Sequence, residues 1–237
     1  MKFAIIAAGE GSRLQQEGIA LPKPLVRLWG EPMIDRLVRI FNENGAEEIC
    51  IIVNQLHPQT EAHVRELQAR GEGAPIRLAV RTTPSSMHSF AELAPWLADA
   101  PFCLTTVDTI FREDEFAAYI ETFRQSECDG LMAVTDYVDD EKPLYVVTDA
   151  ALSITGFLDP PAACPYISGG IYALRPRALQ TLHRCMAEGQ SRMRNFQRGL
   201  VADGLRLRAY PMSKILDVDH ADDVAKAEAF LKGDGKI

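Results

Sequence analysis

The sequence predicts a three-layer α/β/α protein built on a doubly wound, mostly parallel sheet, and three observations predict it. Apolar runs too uniform for one-sided strands stand at 3–8, 49–53 and 102–107, as expected of strands covered on both faces. Segments of helical period separate them, giving the β-α-β-α alternation that builds parallel sheets. The first run, Phe3-Ala4-Ile5-Ile6-Ala7-Ala8, stops at Gly9-Glu10-Gly11-Ser12-Arg13, a tight glycine turn after the first strand.

Each element follows in order. Pro32 reads as the first residue of a helix, with Met33, Ile34, Leu37, Val38 and Phe41 on one stripe and Gly45 as the stop. The second strand is followed by a helix over 58–70 opened by Pro58, a third strand at 76–80 and a helix over 88–98. The fourth strand ends at Asp108. From Asp129 the texture changes to strands with turns at 131–134, 144–148, 152–157 and 166–174, then helices over 176–186 and 193–202. Strands at 205–210 and 215–218 and a helix over 221–231 complete the pattern, with a frayed tail at 232–237.

Composition narrows the classes. With 33 acidic against 25 basic residues the net charge is −8, which argues against nucleic acid as a general partner, so any phosphate binding is local. No apolar run reaches the roughly 18 residues a membrane span needs, and Met1-Lys2 leads straight into a strand without a cleavable leader. The expectation is a cytoplasmic protein with no membrane partner. Cys50, Cys103, Cys128, Cys164 and Cys185 are odd in number and scattered, so they read as reduced core residues. His57, His63, His88, His183 and His220 show no metal spacing, and Trp29 and Trp96 lie where core packing is the default.

The opening loop has the physics of an anion site. Its glycines let backbone N–H groups approach an anion, and Arg13 and Lys23 supply cations. Lys23 lies between Pro22 and Pro24, which favours a stiff, extended arm. The dinucleotide fingerprint fails, because Leu14 stands where its third glycine belongs and Asn54 where an acid should follow the second strand. The P-loop fails for want of Gly-Lys-Ser/Thr.

Together, Ala7-Ala8-Gly9-Glu10-Gly11-Ser12-Arg13-Leu14 and Pro22-Lys23-Pro24-Leu25 resemble the signature of the sugar-phosphate nucleotidyltransferases, the nucleotide-sugar pyrophosphorylases. The resemblance implies a Rossmann-like, nucleotide-diphospho-sugar transferase fold forming one domain over 1–237. Its NTP-binding half would be 1–128, its acceptor-binding subregion 129–204, and its returning strands and last helix 205–231. It implies transfer of NMP from an NTP to a sugar 1-phosphate with Mg²⁺, yielding an NDP-sugar and pyrophosphate. Arg13 and Lys23 would be the catalytic cations, and Ala7, Ala8, Gly9, Gly11, Ser12 and Asp108 the nucleotide-binding set.

Asp108 ends a strand, where open α/β sheets bind ligands. It resembles the family's Mg²⁺-binding aspartate, although Val107 stands where a glycine is usual. Leu216-Asp217-Val218-Asp219 resembles the late aspartate motif, so Asp217, Asp219 or both would be metal ligands; Asp219 also suits a helix cap. Ser168-Gly169-Gly170-Ile171-Tyr172 resembles the sugar-pocket element, and a glycine pair in a strand also suits a bulge. Asn54 is a candidate substrate contact or a loop residue.

Two departures leave specificity open. The base-reading glycines are replaced by Thr82-Thr83-Pro84-Ser85-Ser86-Met87-His88-Ser89. The Glu-Lys-Pro element reads Leu158-Asp159-Pro160-Pro161 at its expected place, and Glu141-Lys142-Pro143, one strand early, is set aside as coincidental; Lys214 is another candidate for the missing lysine, although strand alternation points it away from the Asp217 face. The alternatives are cytidylyl transfer to a non-sugar phosphate such as phosphocholine, and a catalytically silent nucleotide-binding homologue. A homo-oligomer is left open.

Overall fold

The computed structural model describes residues 1–139, 142–160 and 164–233. Strand β1 (Lys2–Ala7) leads through the glycine turn into the short α1 (Ser12–Gln16). One 3₁₀ turn at Lys23–Leu25 precedes a hairpin of β2 (Arg27–Leu28) and β3 (Glu31–Pro32), which delivers the chain to α2 (Met33–Glu43). The α2 stripe Met33, Ile34, Leu37, Val38 and Phe41 is buried, and Gly45 at φ +70° ends the helix. Pro32 stands just before the helix rather than in its first turn, because it still pairs with Arg27 in the hairpin.

The elements β4 (Glu48–Val53), α3 (Pro58–Arg70), β5 (Ile76–Val80), α4 (Ser86–Leu97) and β6 (Phe102–Thr106) keep the predicted alternation. Helix α4 begins two residues early because the Ser85 hydroxyl accepts the His88 backbone N–H as an N-cap. Next come β7 (Thr109–Ile110) and α5 (Glu113–Gln125). Helix α5 stands where the sequence analysis places no element, and its Phe116, Tyr119, Ile120 and Phe123 fall at helical spacing and are all buried. The remainder is β8 (Gly130–Thr135), β9 (Tyr145–Thr148), β10 (Ile154–Leu158), β11 (Tyr166–Leu174), α6 (Ala178–Ala187), α7 (Met193–Ala202), β12 (Leu207–Pro211), β13 (Leu216–Asp217) and α8 (Ala221–Lys232).

Among the described residues nine strands form one sheet in the order β10-β9-β11-β6-β1-β4-β5, with β8 beside β11 and β12 beside β8. The pairings β1-β4, β1-β6, β4-β5 and β8-β12 are parallel, whereas β11 runs against β6, β8 and β9, and β10 against β9. Hence β1, β4, β5, β6, β8, β9 and β12 share one direction, opposed only by β10 and β11. Strand alternation sends Phe3, Ile5, Ile49 and Ile51 to a core with Leu37, Val64, Phe116 and Ala227 of α2, α3, α5 and α8. It sends Ala4, Ile6, Cys50 and Ile52 to a second core with Phe90, Leu182 and Phe196 of α4, α6 and α7. These are the three layers. Parallel pairing gathers the carboxyl ends of β1, β4, β5 and β6 at one edge, where ligands of open α/β sheets bind. Among the described residues no helix is long and apolar enough to cross a membrane.

Candidate active site

The turn after β1 depends on Gly11, at φ +63°, a left-handed conformation that costs any residue with a side chain. The turn and the Lys23 arm wall a cavity of about 400 Å³ that brings together Ala7, Ala8, Gly9, Gly11, Ser12, Arg13, Lys23 and Asp108. Thr83, Ser85 and Ser89, from the stretch that replaces the base-reading glycines, close its other side. A larger cavity, about 610 Å³, opens among the β2–β3 hairpin, α2 and α5 and holds none of these motif residues.

Lys23 Nζ forms ion pairs with Asp108 Oδ2 and, at 2.7 Å, with Asp219 Oδ1. Burial alone would lower the Lys23 pKa, but the two carboxylates more than offset it and hold the ammonium above its ordinary value. Arg13 reaches Asp219 at 3.4 Å from a largely exposed position. Asp108 and Asp217, 109 positions apart, converge because β7 and β13 pair antiparallel, Thr109 opposite Asp217, and the Val218 N–H donates to the Asp108 carbonyl at 3.1 Å. Asp219 is fixed differently: its N–H and that of His220 both donate to the Asp223 carboxylate, inside a capping box at the start of α8. The helix cap itself is His220, so the cap reading of Asp219 is one residue off.

Crowding by the surrounding protein, then the charges of Asp108 and Asp219, push the Asp217 carboxyl well above the usual carboxylate range, against the pull of Lys23 and a hydrogen bond from Thr109. The side chain still opens into the cleft, so solvent screens part of this effect. Among the described residues no three His, Cys, Asp or Glu side chains gather closely enough to hold a metal unaided.

Asp217 borders two further cavities, of about 360 and 340 Å³. Ser168 lines both, Gly169 the first and Gly170 the second. The glycine pair also makes a bulge, since the β11–β8 register shifts between Ser168 and Tyr172. Gly169 is small for the sake of the protein itself, because a Cβ there would collide with Ile215, just before β13. Lys142, Arg192 and Arg194 line the second cavity with Gln197, and none of them was marked as a candidate site residue. Lys142 comes from the element set aside as coincidental, whose Glu141 lies outside the described residues, as does Pro161. Asp159 pairs with Arg194 and Arg198 at 2.6 and 2.7 Å, and Lys214 is spent over the Tyr137 ring.

Two expectations are corrected. Asn54 is 1% exposed and touches no cavity described above. Its amide donates to the Ala8 carbonyl, and its oxygen accepts from the Leu56 N–H and the Thr82 hydroxyl, so it braces the loops. Trp29 is half exposed at φ +50° rather than in a core, with its backbone N–H and its indole N–H both bonded to Glu228 of α8.

Known proteins share this architecture. The chain is similar to the mannose-1-phosphate guanyltransferase of Yarrowia lipolytica, 27% identical over 188 residues, and to a rice enzyme named probable mannose-1-phosphate guanylyltransferase 1, 26% identical over 189. Each match takes in 77% of this chain but 51% and 52% of the relative, so the chain spans about half the length of the curated relatives it matches. Its fold matches a structure provisionally assigned as a Bacillus anthracis glucose-1-phosphate thymidylyltransferase, with a TM-score of 0.84 at 19% identity over 97% of this chain and 94% of that one. It also matches the inositol-1-phosphate CTP transferase of T. maritima, with a TM-score of 0.78 at 16% identity over 97% of both chains. With residues 3–202, from the first strand to the end of α7, matching the family model, the chain belongs to the MobA-like NTP transferase domain family.

Proposed function

We propose that the chain is a Mg²⁺-dependent nucleotidyltransferase that moves NMP from an NTP to a sugar 1-phosphate, giving an NDP-sugar and pyrophosphate. The observation that carries this reading is Lys23 Nζ, held between Asp108 and Asp219 where the phosphate-loop cavity adjoins the cavities bordered by Asp217. Joining two phosphates brings two polyanions together, so fixed cations must offset their repulsion and the charge that grows on the leaving pyrophosphate. Arg13 and Lys23 serve the NTP; Lys142 and Arg192 face the acceptor phosphate. An acceptor phosphate oxygen attacks the α-phosphorus as the bond to the pyrophosphate oxygen breaks. That oxygen is already ionised, so no general base is required, and Lys23 stays protonated throughout.

The donor set fits Mg²⁺. Asp108, Asp217 and Asp219 facing Lys23 and Arg13 leave negative charge in excess. Mg²⁺ takes one or two protein carboxylates and completes its octahedron with water and phosphate oxygens, so Asp108 and Asp217 would hold it with Asp219 alongside. When bound it would neutralise phosphate charge and polarise the reacting phosphoryl group.

The names of the relatives make GTP with mannose 1-phosphate the first pair to assay. Pyrophosphate release should be measured for the common NTPs against sugar 1-phosphates and phosphocholine, with Mg²⁺. Release that requires one NTP and one sugar 1-phosphate supports the reading. Release with phosphocholine alone contradicts it, and NTP binding without release in any pairing marks a silent homologue.

A further inference from the structure

The cavity of about 340 Å³ beside Asp217 contains one buried polar group whose bonding fixes the chemistry of two others. Gln197 is 3% exposed on α7, one residue after Phe196, whose ring packs edge-on against Phe90 at 5.3 Å, so the amide sits on a rigid base. Its Oε1 accepts from the Ser168 hydroxyl at 2.8 Å, and its Nε2 donates to the Tyr172 hydroxyl at 3.2 Å. A hydroxyl has one proton to give and lone pairs to accept with. Ser168 has given its proton to Gln197, so it meets a ligand as an acceptor. Tyr172 accepts from Gln197 and lies beside the Ser168 hydroxyl, so its own proton goes either to Ser168 Oγ or to a ligand oxygen that takes its place, and burial pushes this phenol up to about 12, keeping that proton on the ring oxygen.

We propose that Gln197 is a positioning residue that presents Ser168 as acceptor and Tyr172 as donor, and thereby selects a phosphorylated polyol offering two neighbouring hydroxyls. The proposal rests on the acceptor-site reading above and deepens it. One ligand hydroxyl donates to Ser168 and the next accepts from Tyr172, while Lys142 and Arg192 face the phosphate. A trimethylammonium group can satisfy neither hydroxyl.

The test is calorimetric binding without NTP, so no turnover is needed, using mannose 1-phosphate, glucose 1-phosphate, myo-inositol 1-phosphate and phosphocholine. The wild-type chain should bind at least one polyol phosphate about tenfold or more tightly than phosphocholine. Gln197→Glu keeps the shape but turns both hydroxyls inward as donors. It should erase most of that preference while leaving phosphocholine binding little changed, and Gln197→Met should act likewise. Monodeoxy analogues of the preferred ligand should lose affinity on the wild type and much less on Gln197→Glu, a coupling that a merely structural role does not produce. If the Gln197 variants fail to fold, Tyr172→Phe removes the single donor and should cost about tenfold for the polyol phosphate alone. No wild-type preference, or a preference that survives these substitutions, overturns the proposal. Polyol preference without pyrophosphate release from any NTP would instead sink the transfer reading and leave this one standing.

Discussion

Gly11 and Lys23 approach so closely that a Cβ on Gly11 would lie 3.1 Å from the Lys23 Cβ. The phosphate turn and the lysine arm are therefore packed as one unit, and the two glycine requirements, conformation and space, fall on the same residue. Gly11→Ala should cost about 1–2 kcal/mol for the left-handed backbone and push the lysine arm away from the cavity. A lower melting temperature together with a raised KM for the NTP is the expected result; an unchanged KM would show that the two segments are not coupled.

Arg13 and Lys23 should separate in a way that their shared charge does not suggest. Arg13 is largely exposed, so Arg13→Ala should change stability by under about 0.5 kcal/mol while cutting turnover by about 10²–10³. Lys23→Ala should cut turnover as much, but it also strips the cation from between Asp108 and Asp219. Its loss of stability should exceed that of Arg13→Ala, because two carboxylates are left facing each other without the ammonium they share. Melting curves of both variants check this.

Asp217 should make the wild-type protein less stable as pH rises. The unfolded chain loses this proton near pH 4, the ordinary value. The folded chain keeps it to higher pH, since crowding and the Asp108 and Asp219 charges disfavour the anion. Between those two values the folded state binds more protons, so this group's contribution to stability falls as pH rises through the window. Asp217→Asn removes the titration, so its stability relative to wild type should increase from pH 5 to pH 8. Added Mg²⁺ should shrink the difference by favouring the wild-type anion.

Asn54→Ala should weaken the fold rather than the chemistry directly. It strands the Ala8 carbonyl, the Leu56 N–H and the Thr82 hydroxyl, each at a cost of about 1–3 kcal/mol where water cannot replace the partner. Melting temperature should fall clearly. A loss of affinity for NTP with no loss of stability would return Asn54 to the list of ligand contacts.

Legibility in the sequence followed the range of the interactions. Buried parallel strands and stripes such as Met33 to Phe41 are local patterns, and they predicted the layers, while the phosphate turn is a contiguous motif. The α5 helix is equally local, with Phe116, Tyr119, Ile120 and Phe123 at helical spacing. What the sequence could not disclose depends on distant pairing. Only the β7–β13 ladder reveals how Asp108 and Asp217 meet, only the fold brings Lys142 beside Ser168, and nothing in Met193–Ala202 singles out Gln197 as the residue facing Tyr172. Asn54 misled because a polar residue at a strand end suits a ligand contact and a loop brace equally well.

The central claim, phosphoryl transfer in the cleft of Lys23, Asp108 and Asp217, is tested most directly by following an NTP labelled on its α-phosphate in the presence of a sugar 1-phosphate and Mg²⁺. The account predicts label in the NDP-sugar, unlabelled pyrophosphate in equal amount, and loss of both in Asp108→Asn and Asp217→Asn variants that still unfold cooperatively as folded proteins. Label that never reaches the sugar, or full transfer by both folded variants, would contradict it.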